Sequence, residues 1–314
     1  MTAADTSKRL SDIVACVACR GELVEEGSRL RCAGCGAVYD AADGIPVMLE
    51  LEKMSPSERL SLQKWNDYYT VCDLRAQIDE YARVYEKDFT KLFDRLGLLA
   101  DASRKVLLEV GCGASPSGLY LAKRGYHYVG IDFSIEALKR ARQIFREEGI
   151  DATFICGSIV NLPVRDALFD FLWAGGSLEH FQDVGGALTQ WRRVLRPGGG
   201  LLATVPYLSL GTLLYRWVWG NIPDLFPLKQ IAEFIHIKLL QGRHMIFGYE
   251  LSFPAWKLRR YFRRSGYGDV LIGHLDVPLM FHFIPWRWLK KFCNKLGTLR
   301  LFWAMVYVFA RKAS

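Results

Sequence analysis

The chain has 314 residues, 51% of them hydrophobic and 24% charged, which excludes a disordered or low-complexity protein and leaves room for one large domain with a small appendage. A formal net charge of +8 and a sequence pI near 9.0 favour an anionic partner, whether nucleic acid, a phosphorylated substrate or a membrane surface, without choosing among them. The opening residues, MTAADTSKRLSDIVACVACR, are mixed and polar rather than a basic, apolar leader, so a cytoplasmic protein is expected.

The first element in chain order is a cysteine cluster. Cys16, Cys19, Cys32 and Cys35 form two C-x2-C pairs separated by twelve residues, whereas Cys72, Cys112, Cys156 and Cys293 are scattered. Two such knuckles supply the four thiolates of a closed, structural zinc site; a disulfide pair or free thiols are the alternative. A turn at Asp43-Gly44 and an apolar run after Pro46 complete a small ribbon. The stretch CVACRGELVEEGSRLRCAGCGAVYDAADGIPVML resembles the zinc ribbon of the methyltransferase-activator group, and a ribbon over residues 1–50 is expected. Residues 51–97 read as a charged helical connector: SPSERL offers a helix start, and YEKDFTKLFDRLGLL has helical apolar spacing.

From Lys105 to Ser134 the chain reads as strand, glycine-rich turn, helix and second strand, a βαβ unit whose turn lies at the carboxyl edge of a parallel sheet. Asp132 ends the second strand, where a carboxylate can accept from a ribose diol. The turn is not a dinucleotide fingerprint, because Gly111-Cys112-Gly113 is followed by Ala114, Ser115 and Pro116, and no GK[ST] phosphate loop is present. The segment resembles class I S-adenosylmethionine-dependent methyltransferases of the type 11 kind: Glu109-Val110-Gly111-Cys112-Gly113 matches their motif I and Asp132 their motif II acid, with Ser115 in place of a third glycine. Matches continue in order through FICGSIVNLPVRDALFDFLWAGGSLEHFQD and ALTQWRRVLRPGGGLLATVP. The resemblance implies an α/β protein: a Rossmann-like class I methyltransferase sheet with helices on both faces over residues 98–314, plus the small N-terminal ribbon and a helical lid insertion over residues 207–248. It also implies S-adenosylmethionine as cofactor, held by Glu109, Gly111, Cys112, Gly113, Asp132, Phe133, Gly157, Ser158, Ile159 and Gly175. Ser158 stands where many relatives have aspartate, which leaves the adenine amino group to the backbone.

Past the fourth strand, His180 is placed to act as general base with Glu179 orienting it; the alternative is that both order the following helix. The aromatic and apolar insertion is expected to cover an acceptor site, bordered by His244, Tyr249 and Glu250. Near the end, Trp286, Arg287, Trp288, Lys290 and Lys291 mix aromatic and basic side chains, a combination that suits anionic lipid, RNA or a plain solvated helix. A small-molecule, glycan or lipid-linked acceptor is expected, with peripheral membrane contact through a basic-rimmed entrance built from 207–248 and 278–299. The runners-up are a ribosomal RNA base methyltransferase and a catalytically silent partner protein.

Overall fold

The computed structural model describes residues 9–54, 56–84, 86–216, 220–245, 248–275 and 285–313. Helix α1 (Leu10–Ile13) leads into β1 (Leu23–Glu26), β2 (Arg29–Cys32), β3 (Val38–Ala42) and β4 (Ile45–Pro46), an antiparallel sheet in that order. These strands are too short to bury a core of their own. Ile13, Val14, Leu23, Leu30 and Met48 instead join the apolar cluster that holds Leu162 and Val164. Backbone contacts complete the docking: Val14 bridges Val164, Val47 bridges Cys156, and the Met48 N–H donates to the Cys156 carbonyl at 2.7 Å. The Arg20 guanidinium donates to the Leu162 carbonyl at 2.5 Å, to Asn161 Oδ1 and to Gln190 Oε1.

Three helices follow the ribbon: α2 (Pro56–Val71), α3 (Leu74–Val84) and α4 (Glu86–Arg95). Helix α2 carries an aromatic cluster in which Trp65 and Tyr69 stack at 5.9 Å and Tyr68 meets both edge-on.

The main sheet follows from apolar runs that lack strict alternation, the mark of strands buried on both faces. Strand β5 (Val106–Val110) is buried throughout. Helix α5 (Pro116–Lys123), β6 (His127–Asp132), α6 (Ile135–Glu147), β7 (Ala152–Cys156), β8 (Phe169–Gly175), α7 (Val184–Val194) and β9 (Leu195–Pro206) complete a parallel βα array. The period of two along each strand sends Val106, Leu108 and Val110 to one apolar layer, with Trp191 of α7, and Leu107 to the other, with Phe93, Phe145 and Phe171.

After β9 the insertion forms α8 (Leu210–Tyr215), β10 (Ile222–Pro223), α9 (Leu228–Glu233) with a π-helical continuation over Phe234–Leu239, and β11 (Leu251–Ser252), which pairs parallel with β10. The described part of the insertion is therefore short helices, joined by a two-residue strand pair to the chain just past it. Helix α10 (Ala255–Arg264), β12 (Tyr267–Leu275), α11 (Arg287–Gly297) and β13 (Met305–Lys312) finish the chain, and β13 inserts antiparallel between β9 and β12. The sheet order is β12-β13-β9-β8-β5-β6-β7, so successive strands depart from β5 in opposite directions and open a crevice at its carboxyl end. Of the expected entrance, residues 217–219, 246–247 and 278–284 lie outside the described residues. Among the described residues no helix is long and apolar enough to cross a membrane.

Because Arg20 satisfies acceptors on the main domain, Arg20→Ala should lower the stability of the whole chain by about 1–3 kcal/mol. Urea unfolding followed through the sheet's tryptophans should show it, and an unchanged midpoint would mean that the ribbon and the sheet unfold separately.

Candidate active site and cysteine centre

The turn after β5 is built around two buried carboxyls. Glu109 accepts from Ser117 Oγ at 2.6 Å, Tyr128 Oη at 2.6 Å and Ser115 Oγ at 2.9 Å, which ties the last strand residues to the start of α5. Burial raises its pKa and these three donors work against the rise. Asp132 accepts from the Gly113 N–H and the Ser134 N–H, each at 2.8 Å, so the end of β6 holds the turn from the other side. Burial pushes Asp132 up to about 6, opposed by those backbone donors, so it is charged at neutral pH. Gly111 and Gly113 have φ of +64° and +52°, and a side chain at Gly111 would run into Ser177. The Cys112 thiol is held neutral, well above its usual range, by burial first and then by Asp132 and Glu109.

These residues face a cavity of about 780 Å³. Of the positions expected to hold a cofactor, Glu109, Gly111, Cys112, Asp132, Phe133, Gly157, Ser158, Ile159 and Gly175 line it, but Gly113 does not. Tyr69 of α2 lies over Gly113 and has its pKa raised well above normal by burial and then by Asp132. Ser158 Oγ accepts from the Val160 N–H at 3.3 Å.

The connector's part in the cavity was not read from the sequence. Met54, Glu58, Ser61, Trp65 and Tyr69 all line it, beside Leu49 at the end of the ribbon. Helix α2 spans the opening, with Asn66 meeting Ser134 Oγ at 2.5 Å on one side and Lys64 donating to the Met245 carbonyl at 2.7 Å on the other. The aromatic run WNDYY was the available signal, a dense apolar cluster in an otherwise charged connector.

His180 and Glu179 separate. They occupy a 3-10 turn (Leu178–His180), where successive side chains diverge by about 120°. His180 lines the cavity, and its Nδ1 lies 2.7 Å from the Tyr249 carbonyl. A carbonyl only accepts, so Nδ1 carries the proton and Nε2 is the basic nitrogen. The orienting group is thus the Tyr249 carbonyl, just past the insertion, a correction to the expected pairing with Glu179. The Glu179 side chain turns into the protein, its Oε2 has no hydrogen-bond partner among the described residues, and burial followed by repulsion from Glu250 pushes its pKa up to about 8. Glu250 is paired with Arg216 at 2.9 Å. Tyr249 borders the cavity as expected; Glu250 and His244 do not, and His244 instead meets His236 Nδ1 at 2.8 Å.

At the ribbon the Sγ atoms of Cys16, Cys19, Cys32 and Cys35 lie within 4.8 Å of one another. Cys16 and Cys35 are 3.6 Å apart and Cys19 and Cys32 3.4 Å. A tetrahedral zinc with bonds of about 2.3 Å needs sulfur separations of about 3.8 Å, so the donor set fits one such ion.

Residues 108–203 match a protein family described as a methyltransferase domain. The chain is 35% identical to Methyltransferase GfsG of Streptomyces halstedii over 44% of this chain and 49% of that one. It is 35% identical to 27-O-demethylrifamycin SV methyltransferase of Amycolatopsis mediterranei (strain S699) over 39% of this chain and 47% of that one. The chain thus spans about half the length of these curated relatives. In fold it is similar to a chain of the complex between the Haloferax volcanii Trm112 methyltransferase activator and the putative methyltransferase, with a TM-score of 0.53, 17% identity, and 80% of this chain and 98% of that chain covered.

The state of Glu179 has a measurable consequence. Its folded pKa of about 8 lies above the ordinary value of 4.5, so the folded chain binds the extra proton. That contribution is complete below about pH 4.5 and is lost as pH rises towards 8. Glu179→Gln, which is neutral throughout, should match the parent near pH 5 and exceed it by roughly 2–5 kcal/mol above pH 8. Thermal melts across this range test the assignment; parallel curves for the two proteins would overturn it.

Proposed function

We propose that this chain, of which residues 108–203 match a methyltransferase domain, is a class I enzyme that transfers a methyl group from S-adenosylmethionine to a small, largely apolar acceptor. Residues 1–50 serve as a zinc-stabilised ribbon, 51–97 as a helical connector, and 98–314 as the transfer domain with its insertion over 207–248. The observation that carries this reading is the continuity of the cavity, which joins the glycine turn and Asp132 to His180, Phe181 and Tyr249 in one space.

S-adenosylmethionine supplies an electrophilic sulfonium methyl, so the protein has to place an acceptor and take its proton. Asp132 is ionised at neutral pH and has acceptor capacity beyond Gly113 and Ser134, which suits a ribose diol. Phe133 and Ile159 would give adenine apolar contact, and the backbone of Gly157 and Ser158 would serve its edge. Gly111 and Cys112, braced by Glu109, leave room for the methionine tail, and Gly175 lines the same space. His180 holds Nε2 ready to accept a proton from an acceptor hydroxyl, while Glu179 remains neutral near pH 7 and supports the turn from behind. Leu49, Met54, Trp65, Phe181 and Tyr249 supply an apolar wall, and Gln182 and Gln190 supply polar handles. A small-molecule acceptor is also in keeping with the rifamycin derivative named for one relative.

In calorimetry, Asp132→Asn should weaken S-adenosylmethionine binding at least tenfold, the loss of about 1.5–3 kcal/mol expected for charge-assisted hydrogen bonds. Unchanged affinity would overturn the assignment. With labelled donor and fractionated small-molecule extract, His180→Gln should keep that affinity and lower turnover by about 10²–10⁴ if His180 is the base.

Zinc at the ribbon would fill all its positions with protein ligands, which leaves it a structural role. Metal analysis should find about one zinc per chain. Changing Cys32 and Cys35 together to serine should release it and lower the melting temperature; full zinc occupancy in that variant would reject the ligand set.

A further inference from the structure

We propose that α11 and the turn after it are a docking surface for an anionic lipid bilayer. The helix is amphipathic, and among the described elements its main contact is the turn Arg300–Phe302 that follows it. Trp288, Leu289, Phe292, Cys293 and Leu296 fall at i, i+1, i+4, i+5 and i+8 and form one arc, whereas Arg287, Lys290, Lys291 and Lys295 form the opposite arc. An arc of this kind normally faces a core, yet none of the described side chains of α11 is buried. Trp288 is 71% exposed, Trp286 before the helix 61% and Phe292 55%. Leu299 and Leu301, in the turn leading to β13, are exposed as well.

Charge selects the occupant. Residues 277–314 contain no aspartate or glutamate, and they contain Arg287, Lys290, Lys291, Lys295, Arg300, Arg311 and Lys312. A surface that is cationic on one arc and aromatic or aliphatic on the other is matched by phosphate-bearing headgroups above acyl chains. RNA would use the cations and could stack on the tryptophans, but it offers nothing to Leu289, Phe292, Leu296, Leu299 and Leu301 together. A bilayer also needs no shape complementarity to the irregular run from Trp286 to Leu301.

The surface connects to the cavity through packed elements. The turn Arg300–Phe302 packs on α8, where a side chain at Gly211 would meet the Phe302 carbonyl at 3.1 Å, and Ser209 Oγ donates to the Trp303 carbonyl at 2.7 Å. Arg216, just past α8, pairs with Glu250, whose neighbour Tyr249 lines the cavity and holds His180. A docked bilayer would thus lie beside the insertion that completes the site.

The test is sedimentation of the full chain with phosphatidylcholine vesicles, with and without phosphatidylserine. The parent should bind the anionic vesicles at about 0.1 M salt, bind the neutral ones weakly, and release from the anionic ones at about 0.5 M. Lys290→Glu with Lys291→Glu, and separately Trp288→Ala with Phe292→Ala, should each lower partitioning by at least about tenfold while melting as the parent does. These side chains are exposed or half-buried, so folding should survive. A second exposed apolar row, Leu228, Ile231, Phe234, Ile237 and Leu240, provides the internal comparison. If Ile231→Ser with Phe234→Ser abolishes binding while both α11 variants retain it, the proposal is overturned. Failure of the parent to bind anionic vesicles overturns it too, as does salt-sensitive binding to RNA in place of vesicles.

Discussion

The chain must reverse direction at the carboxyl end of β5 with backbone exposed to a ligand and no side chain in the way, and most of the structure serves that turn. Two carboxyls hold it from opposite sides. Glu109 collects three hydroxyls from the turn and from β6, and Asp132 takes the Gly113 amide from the end of β6. Both are buried acids, which is costly unless every donor is in place, so the arrangement tolerates little looseness. The parallel register of β5 with β6 and β8 then carries that rigidity into the neighbouring strand ends.

Around this fixed half lies a half assembled from distant segments. Helix α2 closes over the turn and reaches the insertion through Lys64, while the segment just past the insertion returns the Tyr249 carbonyl to His180. The Arg216–Glu250 pair behind Tyr249 sits next to neutral Glu179. A histidine whose orientation depends on the Tyr249 carbonyl is coupled to the placement of that segment, so a residue that borders the cavity also sets the imidazole tautomer.

The ribbon solves a different problem. A sheet of four short strands cannot bury enough apolar surface to fold by itself, and its four thiols converge into a donor set that fits one zinc ion. Its remaining apolar face is spent on the main domain, where Val47 bridges Cys156 on β7, the last strand of the sheet. That contact partly covers an edge which would otherwise offer unpaired backbone groups.

Much of this was legible in the sequence because it is local. The cysteine spacing, the βαβ unit, Asp132 at a strand end and the order of the later strands are each set within a few dozen residues, where the periods of strand and helix decide which side chains share a face. Other features depend on long-range packing. Tyr69 covering Gly113, the Tyr249 carbonyl on His180 and Arg216 on Glu250 join segments separated by 44, 69 and 34 residues. Glu179 shows the limit most plainly: in the sequence it is the natural partner of His180, but a 3-10 turn sends adjacent side chains to different sides, and the core claimed one of them. The sequence by itself determined which residues can form the glycine turn, the strand-end acid and the thiolate set, since those are matters of residue type and short spacing. Only the tertiary structure decided what covers the turn, what orients the histidine and which apolar arcs remain without a core, since each depends on the folding of one distant segment against another.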